Sequence, residues 1–228
     1  MPNTIIIGGF GPGISKAVAE QFGAAGYQLA LVGRSADRLA AGVAELTAKG
    51  LSAFAFPANL GDAVAVKSLV ASVRKQLGPI SAVHWNAYTG AAGDLMKADA
   101  AALHEALDIA TVSLLTLVQE AHADLKASKG SVLITNGGLG IVDPAMDGAA
   151  VSWNAMGLAL ANAAKHKLAS MLTKKLEADG IYVGEVMVHS LVKGTAFDSG
   201  GATLDPKTVG EKFFELHSKR ATNFVNVS

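Results

Sequence analysis

The sequence predicts an α/β fold: a doubly wound, mostly parallel sheet of seven strands with helices on both faces. Three observations carry this. Short apolar runs alternate with segments of helical spacing from one end of the chain to the other. The first of those runs, residues 4–8, is continuously apolar, as a strand covered on both faces requires. Half of the 228 residues are hydrophobic and only 17% are charged, which is ample material for two covered faces. Alternating strands and helices give right-handed parallel crossovers, and such sheets bind ligands at the carboxyl ends of their strands.

Each element follows in order. Residues 4–8 form the first apolar run. Residues 14–25 take helical spacing through Val18 and Phe22, and 27–32 are the second strand. A helix over 36–49 carries Leu39, Val43 and Leu46 on one face, and 51–56 are the third strand. Asp62 caps a helix that runs to Leu77. Gly78-Pro79 ends it before the fourth strand, 80–85. A long helix covers 99–127 and the fifth strand 131–135. A glycine-rich loop then leads into a helix over 153–178, closed by Gly180 in the usual C-terminal glycine position. The sixth strand is 181–188. Pro206 opens a last helix to about residue 218, and 223–227 form the seventh strand. No repeat or linker interrupts the series, so residues 1–228 read as one domain with a polar, glycine-rich substrate loop at about 189–205.

Composition narrows the partners. Lys plus Arg and Asp plus Glu both number 19, so no net charge draws in nucleic acid or an anionic membrane. There is no cysteine, which excludes disulfides and thiolate metal sites, and no metal site is expected. The N-terminus, Met1-Pro2-Asn3-Thr4 and an isoleucine run, lacks the basic and long apolar regions of a signal peptide. No stretch of membrane-spanning length is free of charged or polar breaks. A soluble cytoplasmic protein acting on a small molecule is expected.

The chemistry begins directly after the first strand, with Gly8-Gly9-Phe10-Gly11-Pro12-Gly13-Ile14-Ser15. Glycine tolerates the sharp turn and lets a pyrophosphate approach the backbone. The helix that follows turns its free N–H groups and positive dipole end toward the phosphates. A glycine cluster alone is weak, but one between a buried strand and a helix points to a dinucleotide. Arg34 ends the second strand where an acid would bind the 2′-hydroxyl of NAD. An arginine there favours the 2′-phosphate of NADP, and Ser35 is a second phosphate contact.

With these residues in view, the chain resembles the short-chain dehydrogenase/reductase family. Gly9-x-x-x-Gly13-x-Ser15 is similar to its glycine loop, with Ser15 in place of the last glycine. Ala58-Asn59-Leu60 resembles the adenine-contacting segment after the third strand. Trp85-Asn86-Ala87-Tyr88 resembles the Asn-Asn-Ala-Gly turn after the fourth. The C-terminal segment from Leu204 to His217 is also similar. The resemblance implies a Rossmann-type sheet, NADP(H), and contacts from Gly9, Phe10, Gly11, Gly13, Ile14, Arg34, Ser35, Asn59, Leu60, Asn86, Ala87 and Thr195. It also implies a homodimer or homotetramer formed through the helices near 99–127 and 153–178.

The family's catalytic Ser, Tyr, Lys and Asn are not found. Registered from Gly180-Ile181, Asn162 falls at the Lys and Leu158 at the Tyr. Gly137 falls at the Ser and Ala110 at the Asn. A three-residue deletion would bring Lys165 to the Lys but put Ala161 at the Tyr. Lys165 and Lys167 are otherwise expected on the exposed helix face. Tyr88 is the best placed phenol and Asn136 a hydrogen-bond donor, so both are candidate catalytic residues. His189, Ser190 and Ser152 are further candidates. Two readings stay open: a carbonyl reductase with an atypical proton donor, and a catalytically inactive NADP(H)-binding sensor or partner subunit.

Overall fold

The structure is a computed structural model that describes residues 3–228. Met1 and Pro2, on which the reading of the N-terminal segment also rests, lie outside the described residues. Seven strands form one sheet in the order β3-β2-β1-β4-β5-β6-β7. They are β1 (Thr4–Gly8), β2 (Gln28–Gly33), β3 (Ala53–Pro57), β4 (Ile80–Trp85), β5 (Ser131–Gly137), β6 (Tyr182–Val188) and β7 (Phe224–Val227). Every pairing is parallel. The doubly wound α/β architecture is therefore as the apolar runs predict.

The two faces are packed separately. One is covered by α1 (Ile14–Ala24), α2 (Ala36–Ala48) and α8 (Pro206–Lys219), burying Ile5, Ile7, Phe22, Leu39 and Phe213. The other is covered by α3 (Ala63–Leu77), α4 (Ala100–Leu107), α5 (Ser113–Ser128) and α7 (Met156–Leu176). Trp85, Leu114, Leu117, Val132, Ile134 and Leu172 are buried there. Side-chain caps start the helices where the sequence offers an acid or serine. Asp62 accepts from the Val64 and Ala65 amides, and Ser35 accepts from the Arg38 amide.

Three expectations need correction. The helix predicted over 99–127 is continuous in direction but contains one π-turn, Asp108–Val112, between α4 and α5. The region read as a glycine-rich loop before residue 153 holds another helix, α6 (Pro144–Ser152). It is capped by Asp143, whose carboxylate accepts from the Ala145 and Met146 amides, with proline in the first turn. The predicted helix over 153–178 consequently begins later, at Met156. The stretch Ala100–Ser128 is also long and apolar enough, by length and composition, to cross a membrane. Glu105 and Asp108 interrupt it, and the sheet takes its apolar face through Leu114, Leu117, Val118 and Leu125.

Candidate active site

The carboxyl ends of β1, β2, β3, β4 and β6 bring the predicted cofactor residues to one rim. Gly9 has φ +78°, in the left-handed region, and a Cβ there would lie 2.6 Å from the Ala87 Cα and backbone nitrogen. The loops after β1 and β4 thus touch backbone to backbone. Asn86 reinforces the join: its amide nitrogen donates to the Gly8 carbonyl at 2.8 Å. Gly13 meets the other side of the rim, since a Cβ there would lie 2.5 Å from the Thr195 methyl. Nothing lies within 4 Å of a Cβ built at Gly11, so the loop is open above its middle. Ile14 begins α1, whose first N–H groups have no helical acceptor. That combination of open glycine backbone and free helix N–H groups suits a pyrophosphate.

Ser15 does more than fill a small site. It is 1% exposed, and its Oγ accepts from the Gly11 amide at 2.8 Å and lies 3.3 Å from the Gly11 carbonyl. The hydroxyl braces the loop. The Phe10 side chain turns away from the opening and packs on α2 against Gly42, so only its main chain lines the rim.

Arg34 stands at the end of β2 with its side chain 71% exposed, 3.7 Å from a Glu105 carboxylate oxygen. An exposed pair at that distance is weak, so the guanidinium is free to take a phosphate. Ser35 is partly committed, because its hydroxyl caps α2. Asn59 Oδ1 accepts from the Gly61 amide at 3.1 Å, so the oxygen assigned to adenine already closes a local turn. Leu60 is 5% exposed and belongs to the core, leaving only its backbone at the rim.

Tyr88 is the predicted acid, and its ring stacks on Phe197, centroids 5.6 Å apart. The phenol is 40% exposed and burial raises its pKa. It stays protonated at neutral pH and in contact with solvent. Phe197 sits at the tip of the 189–205 loop, which is ordered in two further ways. Val192 and Leu204 bridge its base. The Asp198 carboxylate accepts from the Gly194 and Gly200 amides, both at 2.9 Å, and those N–H groups lower its pKa. Asp198 was missed in the sequence, although an Asp amid glycines is a turn signal. A hollow of about 430 Å³ opens beside the neighbouring 88–98 loop, bordered by Ala92, Asp94, Lys97, Asp99 and Asn154.

Asn136 does not face this opening. It is 3% exposed, and its Nδ2 donates to the Asn162 carbonyl at 3.1 Å and to Glu185 Oε1 at 2.7 Å. With both amide hydrogens used inside the protein, none remains for a substrate. Lys165 is a second correction. It is 4% exposed, in the stripe of α7 that faces the sheet, and burial pulls its ammonium pKa down to about 8 against the pull of Glu185. His189 hangs from the end of β6, and its Nε2 pairs with Asn226 Oδ1 at 2.7 Å.

Comparison with known proteins agrees with this fold. The sequence profile of the family described as short chain dehydrogenase matches residues 3–192. The 3-oxoacyl-[acyl-carrier-protein] reductase FabG of Staphylococcus aureus is 26% identical over 189 residues, 82% of this chain and 77% of that protein. The crystal structure of a blue fluorescent protein from a metagenomic library, in complex with NADPH, superposes with a TM-score of 0.85. It is 21% identical, over 99% of this chain and 96% of that one. L-Sorbose reductase from Gluconobacter frateurii, complexed with NADPH and L-sorbose, gives a TM-score of 0.83 at 21% identity, over 99% and 95% of the two chains.

Proposed function

The chain belongs to the short-chain dehydrogenase family, and from that premise we propose that it is an NADP(H)-dependent oxidoreductase acting on a small, largely uncharged ketone or related compound. One observation carries the reading. The glycine turn at the start of α1 meets Ala87 from the β4 loop and Thr195 from the β6 loop, leaving open backbone between them. The Ile14 amide and the other free N–H groups at the start of α1 would hold the pyrophosphate, with the main chain of Gly9, Phe10, Gly11 and Gly13 bordering it, because the Gly9 and Phe10 amides already donate to the Val32 carbonyl and the Gly11 amide to Ser15 Oγ. Arg34 and Ser35 would take the 2′-phosphate. Asn59 and the Leu60 backbone would border the adenine, and Asn86, Ala87 and Thr195 the nicotinamide half. NADPH and L-sorbose in the sorbose reductase complex are consistent with a carbonyl substrate.

Bound NADPH would supply a hydride to the carbonyl carbon. Tyr88 would donate its phenolic proton to the carbonyl oxygen as the C=O π pair moves onto it, giving the hydroxyl of an alcohol. The tyrosinate regains its proton from solvent, which reaches a ring 40% exposed. Exposed Leu95, Met96, Leu191 and Phe197 lie on the loops after β4 and β6 and favour an apolar substrate.

Oxidation of NADPH, followed at about 340 nm with activated ketones and diketones, tests the reading. Tyr88→Phe is expected to lower kcat by about 10²-fold while leaving NADPH affinity unchanged. Unchanged kcat would remove Tyr88 as the donor. Tight NADPH binding without turnover of any ketone would replace the reductase by a cofactor-binding sensor.

A further inference from the structure

Asn162 lies in the buried stripe of α7 and is 5% exposed. Its main chain is strapped to the sheet. The Asn162 carbonyl accepts from Asn136 Nδ2 at 3.1 Å, and the same Nδ2 donates to Glu185 Oε1 at 2.7 Å. Glu185 Oε2 lies 2.7 Å from His166 Nδ1, one turn further along α7. Asn136 Oδ1 accepts from the Gly137 amide at 3.0 Å. The strap therefore fixes this turn of α7 against the last residues of β5.

The Asn162 side chain has no such ties. Its amide hydrogen-bonds no described residue, yet neither of its polar atoms is among those sealed from solvent without a partner. It reaches toward Gly137, where a Cβ would lie 3.0 Å from Asn162 Nδ2. The amide thus occupies the space that a side chain at 137 would need, at the carboxyl end of β5. Solvent reaches this amide, so a ligand oxygen can take the place of water as its acceptor.

We propose that Asn162 is a catalytic residue whose Nδ2 donates a hydrogen bond to the substrate's carbonyl oxygen, in the space left by the missing side chain of Gly137. This rests on the reductase reading. In it the donor that orients the carbonyl comes from helix α7 rather than from strand β5, and Asn136, Glu185 and His166 are positioning residues that hold its backbone. The hydrogen bond strengthens as the oxygen gains charge during hydride addition, which is where a fixed donor is most effective.

The test uses the full chain saturated with NADP⁺, with 2,2,2-trifluoroacetophenone as the carbonyl probe and ¹⁹F NMR as the binding readout. The variants are Asn162→Ala and the isosteric Asn162→Asp, which removes the donor and keeps the shape. Both are expected to weaken ketone binding by about 3–10-fold, the worth of one neutral hydrogen bond. NADPH-dependent turnover of the same ketone should fall by about 10²-fold, with NADPH affinity unchanged. Adding Gly137→Ser to Asn162→Ala should recover part of both losses, because a hydroxyl then enters the vacated space. Ketone binding and turnover unchanged in both single variants would overturn the proposal alone. NADPH affinity falling in parallel would also overturn it, assigning Asn162 to the cofactor. Wild-type protein that binds NADPH but neither binds nor reduces the ketone would overturn the reductase reading, and the proposal with it.

Discussion

Gly9→Ala is expected to lower the melting temperature by about 10 °C and NADPH affinity by about 10²-fold. The backbone at Gly9 has φ +78°, which costs an L-residue about 1–2 kcal/mol. The added Cβ would also meet the Ala87 Cα and nitrogen at 2.6 Å and the Asn86 carbonyl carbon at 2.8 Å. These are main-chain atoms at the end of β4 and cannot swing aside, so overpacking adds about 1–3 kcal/mol. A total near 3 kcal/mol corresponds to about 10 °C in a domain of this size. Relief of the clash must move the loop away from β4, disturbing the N–H groups proposed to face the pyrophosphate. Gly11→Ala is the control: a Cβ there meets nothing within 4 Å. Its melting temperature should stay within about 1 °C of wild type while NADPH binding weakens. Calorimetry that finds Gly9→Ala as stable as wild type would contradict the described loop packing.

Mild acid should unfold the protein, with His84 the largest single cause. His84 is completely buried on β4, its Nε2 2.9 Å from Thr135 Oγ1 and its ring 4.7 Å from the Phe213 ring. Its Nδ1 has no partner among the described residues. Burial alone pulls its pKa down to about 3 from an ordinary 6.5. The sign follows from proton binding. Between these two values the unfolded chain holds a proton that the folded chain refuses, so stability falls as pH drops through this window. At about pH 4 the loss from His84 is about 3 kcal/mol. His217 adds to it in the same direction. Burial, helped by Arg220, draws its pKa down to about 4, between Ser131 and Tyr27. Urea unfolding of wild type and His84→Leu at about pH 7 and pH 4 reads the effect. The wild type should lose about 3 kcal/mol more than the variant on acidification, and equal losses would show that His84 does not carry it.

Most of the sheet was legible because its strands are short, mainly apolar runs. The 4–8, 80–85 and 131–135 runs leave no face for solvent. The misreadings have physical causes. Gly137, Gly138, Gly140 and Gly148 hid α6, although Asp143-Pro144 is a capped helix start. The π-turn after α4 has no signature in residue type. Lys165 was assigned outward because lysine is seldom buried. Its spacing tells otherwise, since Leu158, Asn162, Lys165, Leu168 and Leu172 fall on one stripe. Glu185 gave the matching signal: an acid inside a doubly covered strand requires partners on the helix above it. Asn136 is the right residue type facing the wrong direction, because its amide is held by Asn162 and Glu185, partners distant in sequence that only the fold brings to it.

Arg34 is the group proposed to select NADP(H) on this rim. Titration of wild type and Arg34→Ala with NADPH and with NADH, following the fluorescence of the bound reduced nicotinamide, reads its role. Wild type should prefer NADPH by about 10–10²-fold, the worth of one charge-assisted phosphate contact, and Arg34→Ala should abolish the preference while NADH affinity stays constant. Failure of wild type to bind either cofactor, or equal affinity for both, would contradict it.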